Sequence, residues 1–233
     1  LSNVTKRFDS LIAVNDLSFD VEKGQVFGIA GPNGAGKSTI YNLITGVYGF
    51  EGSILFNGKE ISGRKPYQIA KLGISRTFQI PQTFPSLTVE QSIEVGARFG
   101  NPGRYDVKQV DTIIDFVSLQ NERSQMTGTL NLLGKKKLMI GAALATKPEI
   151  LMLDEPMAGS NTHEIKALME LIKEINQNLG VTIIIIEHFM KVLTELTQEL
   201  LIIETGTKIC CGDPVDVTNN PEVIECYLGG KDD

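Results

Sequence analysis

The chain has 233 residues, 42% of them hydrophobic, and a net charge of −6. That length suits one large domain or a domain with a subdomain, and that apolar fraction can bury a real core. The acidic balance argues against a broad basic surface, so no nucleic-acid partner is expected.

The chain begins at Leu1, and a few N-terminal residues are expected to precede it. Ala13–Val21 alternates polar and apolar residues and stops at Lys23-Gly24, which predicts a strand. Gln25–Ala30 is a short apolar strand. It leads into Gly31-Pro-Asn-Gly-Ala-Gly-Lys-Ser-Thr39, which satisfies the phosphate-binding pattern of glycine, four residues, glycine, lysine, then serine or threonine. Glycines let backbone N–H groups approach phosphate oxygens, Lys37 can reach the β- and γ-phosphates, and the Ser38 hydroxyl can ligate Mg²⁺. A helix is predicted to begin at Thr39 and Ile40 and to run to Thr45, with its positive end facing the anion. Ser53–Phe56 followed by Asn57-Gly58 predicts a strand and hairpin turn. These front segments suggest an antiparallel sheet.

From Pro81 to Ala145 the pattern becomes mostly helical, with three- and four-residue apolar spacing at Val107, Val110, Ile113, Ile114 and Val117. Ile150-Leu-Met-Leu-Asp-Glu155 is an apolar strand that delivers two carboxylates at its carboxyl end, where α/β sheets bind ligands. Asp154 would hold the Mg²⁺ shell and Glu155 would polarise the attacking water, since phosphoryl transfer needs mainly positioning and charge neutralisation. A helix is predicted over Glu164–Asn178, with His163 at its start as a solvated residue. Val181–Ile186 is a buried strand ending at Glu187-His188, where a histidine could sense the γ-phosphate. Its apolar run is too short to span a bilayer and no signal peptide is visible, so the chain reads as soluble, with any membrane role through a partner. Leu200–Glu204 and Lys208–Cys211 predict a hairpin around Thr205-Gly206, followed by short helices. Cys210, Cys211 and Cys226 have no metal-ligand spacing and read as reduced thiols. Alternating strands and helices predict an α/β fold with a largely parallel sheet.

With these motifs in place, the chain resembles an ATP-binding-cassette (ABC) ATPase subunit over nearly its whole length. The resemblance implies a P-loop NTPase (RecA-like) core over residues 1–80 and 146–233, an antiparallel β subdomain, and an inserted α-helical subdomain over 81–145. It aligns Gly31–Thr39 with the Walker A loop, including Asn33, Gly34, Ala35 and Gly36, and Ile150–Glu155 with the Walker B strand. It aligns Gln79 with the glutamine that contacts Mg²⁺ and water, and His188 with the switch histidine. Phe8 matches the aromatic that stacks on adenine, Val14 would flank the ring, and Ala158-Gly-Ser-Asn161 falls at the D-loop. The segments Gly73–Gln79, Phe84–Glu90, Asp154–Gly159 and Tyr227-Leu-Gly-Gly230 are similar to the ATPase subunits of branched-chain amino-acid importers. The implied partners are membrane subunits, a second ATPase subunit and, indirectly, a solute-binding protein, at the cytoplasmic face of the membrane.

One segment departs from the family. The Leu-Ser-Gly-Gly-Gln signature place holds Leu130-Asn-Leu-Leu-Gly134, and a one-residue slip that puts Gly134 on the second glycine and Lys135 on the glutamine does not restore the motif either. In the family this segment binds the γ-phosphate held by the opposite subunit, and Leu133 is expected to obstruct that contact. The following Lys135–Lys137 reads as a solvated helix face, with partial electrostatic compensation as the sharper alternative. A heterodimer with an unlike cassette is therefore favoured over a homodimer. The competing functional reading is a non-transport or regulatory ABC ATPase of low turnover.

Overall fold

The computed structural model describes residues 1–100 and 106–228. The chain starts with β1 (Ser2–Phe8), β2 (Leu11–Leu17), β3 (Val26–Ala30), α1 (Lys37–Ile44), β4 (Glu51–Ser53), β5 (Leu55–Phe56) and β6 (Lys59–Glu60). Next come α2 (Pro66–Leu72), β7 (Ile74–Arg76), α3 (Val89–Gly100), α4 (Val107–Phe116), α5 (Leu132–Leu144), β8 (Ile150–Asp154) and α6 (Thr162–Leu179). It finishes with β9 (Thr182–Ile186), α7 (Met190–Leu196), β10 (Glu199–Glu204), β11 (Thr207–Gly212), α8 (Pro214–Thr218) and α9 (Pro221–Leu228). Gly229 and Gly230 of the importer-like terminal motif lie outside the described residues.

Two compact units divide the chain. The first comprises Leu1–Ile69 and Thr182–Asp233, within the described residues. Its strands lie in the order β11-β10-β3-β9, parallel except for the β10–β11 pair. Every residue of β3 and β9 is buried, as expected for parallel strands covered on both faces. From α1, the fully buried Tyr41 donates its hydroxyl to the Ile184 carbonyl at 2.7 Å, which satisfies a buried polar group and ties the helix to β9. A second, antiparallel sheet has the order β2-β1-β4, as the front segments suggested.

Several boundaries differ from the sequence reading: the predicted strand Ser53–Phe56 is divided between β4 and β5, and two others shift for a clear local reason. The predicted strand Ala13–Val21 is β2, Leu11–Leu17. Asp16 takes φ 50° and the pairing shifts register nearby, so Val14 and Leu17 are buried three apart and the alternation ends. The helix predicted from Thr39 begins at Lys37, because left-handed Gly36 turns the loop directly into helical backbone. The hairpin turns are as predicted: Asn57 and Gly58 have φ 50° and 72°, and Thr205 and Gly206 have φ 47° and 78°. All three cysteines are free. Burial pushes the Cys211 thiol up to about 12 and the Cys226 thiol to about 11, so neither carries thiolate near neutral pH.

The second unit is Ala70–Val181, again within the described residues. Here β7 runs parallel to β8, with Ile74 beside Ile150. The predicted helical spacing at Val107–Val117 is α4, capped by Asp106, whose side chain accepts from Lys108 N at 3.0 Å. Its Val110, Ile113 and Ile114 are buried, as are Val89, Ile93 and Ala97 of α3. Helix α6 starts at Thr162 rather than Glu164, because Asn161 and Glu164 form a reciprocal capping box. Gly180, with φ 65°, ends it. No helix among the described residues is long and apolar enough to cross a membrane.

Candidate functional site: a phosphate loop and a strand-end carboxylate pair

The phosphate loop lies in the first unit, between β3 and α1. Gly36 has φ 102°, and a Cβ there would run into the Ala13 carbonyl, so only glycine fits. Lys37 is 7% exposed and donates Nζ to the carbonyls of Gly31 at 2.7 Å and Pro32 at 2.9 Å. The ammonium thus lies along the inside of its own loop. Asn33, Gly34 and Ser38 are exposed, Thr39 is half-buried, and Ala35 is buried. Gly34 has φ 82° with open space where a Cβ would stand. The loop thus leaves Asn33, Gly34 and Ser38 exposed around a buried cation.

The sequence reading missed what braces this loop. Gly206, at the β10–β11 turn, donates its N–H to the Ala35 carbonyl at 2.9 Å and accepts from Asn15 N at 2.8 Å. The turn therefore joins β2 to the phosphate loop. The Thr205-Gly206 turn signal was visible in the sequence, but its tertiary partner was not.

Phe8, at the end of β1, is half-buried. Its ring meets Tyr48 edge-on at 5.1 Å between centroids, and Lys6 Nζ lies 4.7 Å from its centroid. Tyr48, 39% exposed, extends the aromatic surface and was not singled out from the sequence. Val14 is fully buried, opposite Lys6 in the β1–β2 ladder, so it backs the sheet. His188, past the end of β9, is exposed, and its ring stands 4.5 Å from that of Phe189.

The second unit carries the carboxylates. Asp154 ends β8 at 5% exposure, with Oδ2 accepting from the Arg76 guanidinium at 2.6 Å. Glu155 follows at φ 46°, an uncommon conformation for a residue with a side chain, and one that concentrates at functional sites. Its Oε2 accepts from Gln79 Nε2 at 2.7 Å. Gln79 and Glu155 are therefore brought together, as are Arg76 and Asp154. Arg76 was not picked out from the sequence.

At the variant signature, Asn131 caps α5, its Oδ1 accepting from Gly134 N at 2.7 Å. Leu132 is 37% exposed and Leu133 half-buried. The solvated reading of Lys135–Lys137 fails at Lys136. That side chain is 2% exposed and donates Nζ to the Ala158 carbonyl and to Ser160 Oγ, so it secures the Ala158–Asn161 loop. His163, in the first turn of α6, is exposed as predicted.

Comparisons with known proteins show the family. A family model for the ABC transporter matches residues 14–158, and one for the branched-chain amino acid ATP-binding cassette transporter matches residues 207–233. The high-affinity branched-chain amino acid transport ATP-binding protein BraF of Pseudomonas aeruginosa is 33% identical, covering 98% of this chain and 96% of that protein. The probable counterpart LivG of Archaeoglobus fulgidus is 32% identical over 99% of this chain and 95% of its own length. A crystal structure of the ADP conformation of an ATP-binding cassette of an ABC transporter superposes with a TM-score of 0.88 at 30% identity, covering 98% of this chain and 97% of that one. The chain belongs to the ABC transporter family, as an ATP-binding cassette that hydrolyses ATP to drive transport.

Proposed function

We propose that this chain is the ATPase subunit of an importer for branched-chain or other amino acids, seated at the cytoplasmic face of the membrane. The observation that carries the substrate class is the match of residues 207–233 to the branched-chain cassette family, beyond the general cassette match at 14–158. Its partners are membrane subunits and, indirectly, a solute-binding protein. Residues 81–145, which hold α3, α4 and α5, are the subdomain that passes the motion to them.

The residue roles follow from the chemistry available. Phe8 stacks on the base; Val14, fully buried opposite Lys6, supports the sheet instead of flanking the ring. Asn33, Gly34, Ala35, Gly36, Ser38 and Thr39 present backbone and hydroxyl groups to the phosphates, and Lys37 leaves its loop carbonyls for phosphate oxygens. Asp154, Ser38 and Gln79 each carry an oxygen of the kind a hard divalent cation takes, and Asp154 already balances a cation in the guanidinium of Arg76. Mg²⁺, when bound there, neutralises phosphate charge. Glu155 accepts a proton from, and orients, the attacking water, with Gln79 holding its carboxylate in place. His188 donates to the γ-phosphate.

A second cassette completes each site by offering its signature segment. With Leu133 in this chain's own segment, an unlike partner gives one sound site on Lys37 and Glu155, whereas a homodimer has two weakened ones.

Phe8→Ala is expected to weaken ATP and GTP alike by about 1–2 kcal/mol, the scale of a lost stacked aromatic. Equilibrium binding of both nucleotides checks this, and a loss confined to ATP would point to base-edge recognition instead. The transport reading is tested by reconstituting the chain with its membrane subunits and an unlike partner cassette in vesicles, with the solute-binding protein added outside. ATP-dependent uptake of labelled leucine is expected. ATP hydrolysis with no amino-acid uptake would contradict the proposed substrate class.

A further inference from the structure

The contact between Arg76 and Asp154 has a consequence for metal binding. The Asp154 side chain is buried at 7% exposure, the Arg76 side chain is largely covered at 10%, and the guanidinium reaches Oδ2 at 2.6 Å. The backbone fixes where that guanidinium enters: Arg76 pairs with Met152 across the parallel β7–β8 ladder, and Thr77 N donates to the Met152 carbonyl at 2.9 Å. Three residues on, Gln79 holds Glu155. One four-residue segment thus contacts both strand-end carboxylates. Between them Phe78 is half exposed, with the Arg76 guanidinium 5.2 Å from its ring centre.

A buried carboxylate is tolerated when a cation balances it, and removing that cation alone leaves an uncompensated charge. A divalent metal using the same carboxylate therefore exchanges one cation for another. We propose that Arg76 is an internal counter-ion that competes with Mg²⁺ for Asp154, so that metal loading and release of Arg76 are one event. This rests on the reading of Asp154 as a metal ligand. Arg76 is a positioning residue here, since it acts through Asp154. Bare metal must displace the guanidinium unaided and binds weakly. Metal carried by nucleotide brings phosphate contacts that favour the exchange.

The test measures Mn²⁺ binding to the full chain by electron spin resonance of the free ion, without nucleotide. Arg76→Gln should bind Mn²⁺ about 10-fold more tightly or better, the scale of one close charge pair. Arg76→Lys, with a compact ammonium in place of the planar fork, should fall between. Without divalent ions Arg76→Gln should melt below the parent, and added Mg²⁺ should raise its midpoint more than the parent's. Mn²⁺ affinity equal to the parent's in both variants, with the same Mg²⁺ response in melting, would overturn the proposal. Asp154→Asn separates the two readings. If it keeps the parent's affinity for Mn²⁺ with ATP, the ligand assignment fails and the counter-ion falls with it. If it loses that affinity while the Arg76 variants bind as the parent does, the counter-ion alone is overturned.

Discussion

Lys37→Ala is expected to abolish productive ATP binding, with turnover lost by about 100- to 1000-fold or more, because phosphoryl transfer is accelerated chiefly by stabilising the charge of its transition state. Two losses combine. The ammonium is the cation of the phosphate loop, and it also bridges the carbonyls of Gly31 and Pro32 at 2.7 and 2.9 Å. Alanine therefore leaves two loop carbonyls without that donor, and the loop should loosen as well as lose its charge. Titration with a fluorescent ATP analogue and a phosphate-release assay read the two effects. Parent-like affinity and rate in this variant would remove the phosphate loop from the mechanism.

Glu155→Gln is expected to bind ATP nearly as the parent does and to hydrolyse it at least ~100-fold more slowly, the usual scale for losing a general base. The amide preserves shape, and it can still meet Gln79, which holds the carboxylate at 2.7 Å. What it cannot do is take a proton from water. Binding should survive while chemistry stops, and ATP-dependent association with a partner cassette should persist instead of cycling. A variant rate equal to the parent's in single-turnover measurements would move the base to another residue.

The sequence exposed those elements whose signals are local. Gly31–Thr39 and Ile150–Glu155 each combine a hydrophobic run with chemically distinctive residues at its end. The turn at Asn57-Gly58 follows from backbone preferences at positive φ, and at Thr205-Gly206 the glycine has that preference while the β-branched Thr205 takes φ 47° against it. Boundaries shifted where a second local device intervened, as with the capping box that starts α6 at Thr162 and the positive φ at Asp16 that ends the alternation of β2. The residues that escaped notice owe their importance to distant partners. Arg76 lies 78 positions from Asp154, and Gly206 reaches back to Ala35 and Asn15. Lys136 looked like one of three surface lysines because charge runs are usually solvated. Its burial depends on acceptors at Ala158 and Ser160, which no helical period of its own segment can reveal.

The variant signature bears most directly on how the cassette works. Asn131 performs the local task of a helix cap through Gly134 N, so α5 is sound. The impairment proposed for this segment would be confined to what Leu132 and Leu133 offer a phosphate on another subunit. The decisive measurement is ATPase rate against protein concentration, for the chain alone, for the chain with an unlike cassette carrying an intact signature, and for a chain rebuilt as Leu-Ser-Gly-Gly-Gln over residues 130–134. The expected result is slow turnover alone, restored turnover at the Lys37 and Glu155 site with the partner, and raised solitary turnover after rebuilding, through renewed backbone N–H access to the γ-phosphate. Vigorous turnover by the parent alone, rising with concentration and equal to that of the rebuilt chain, would contradict it.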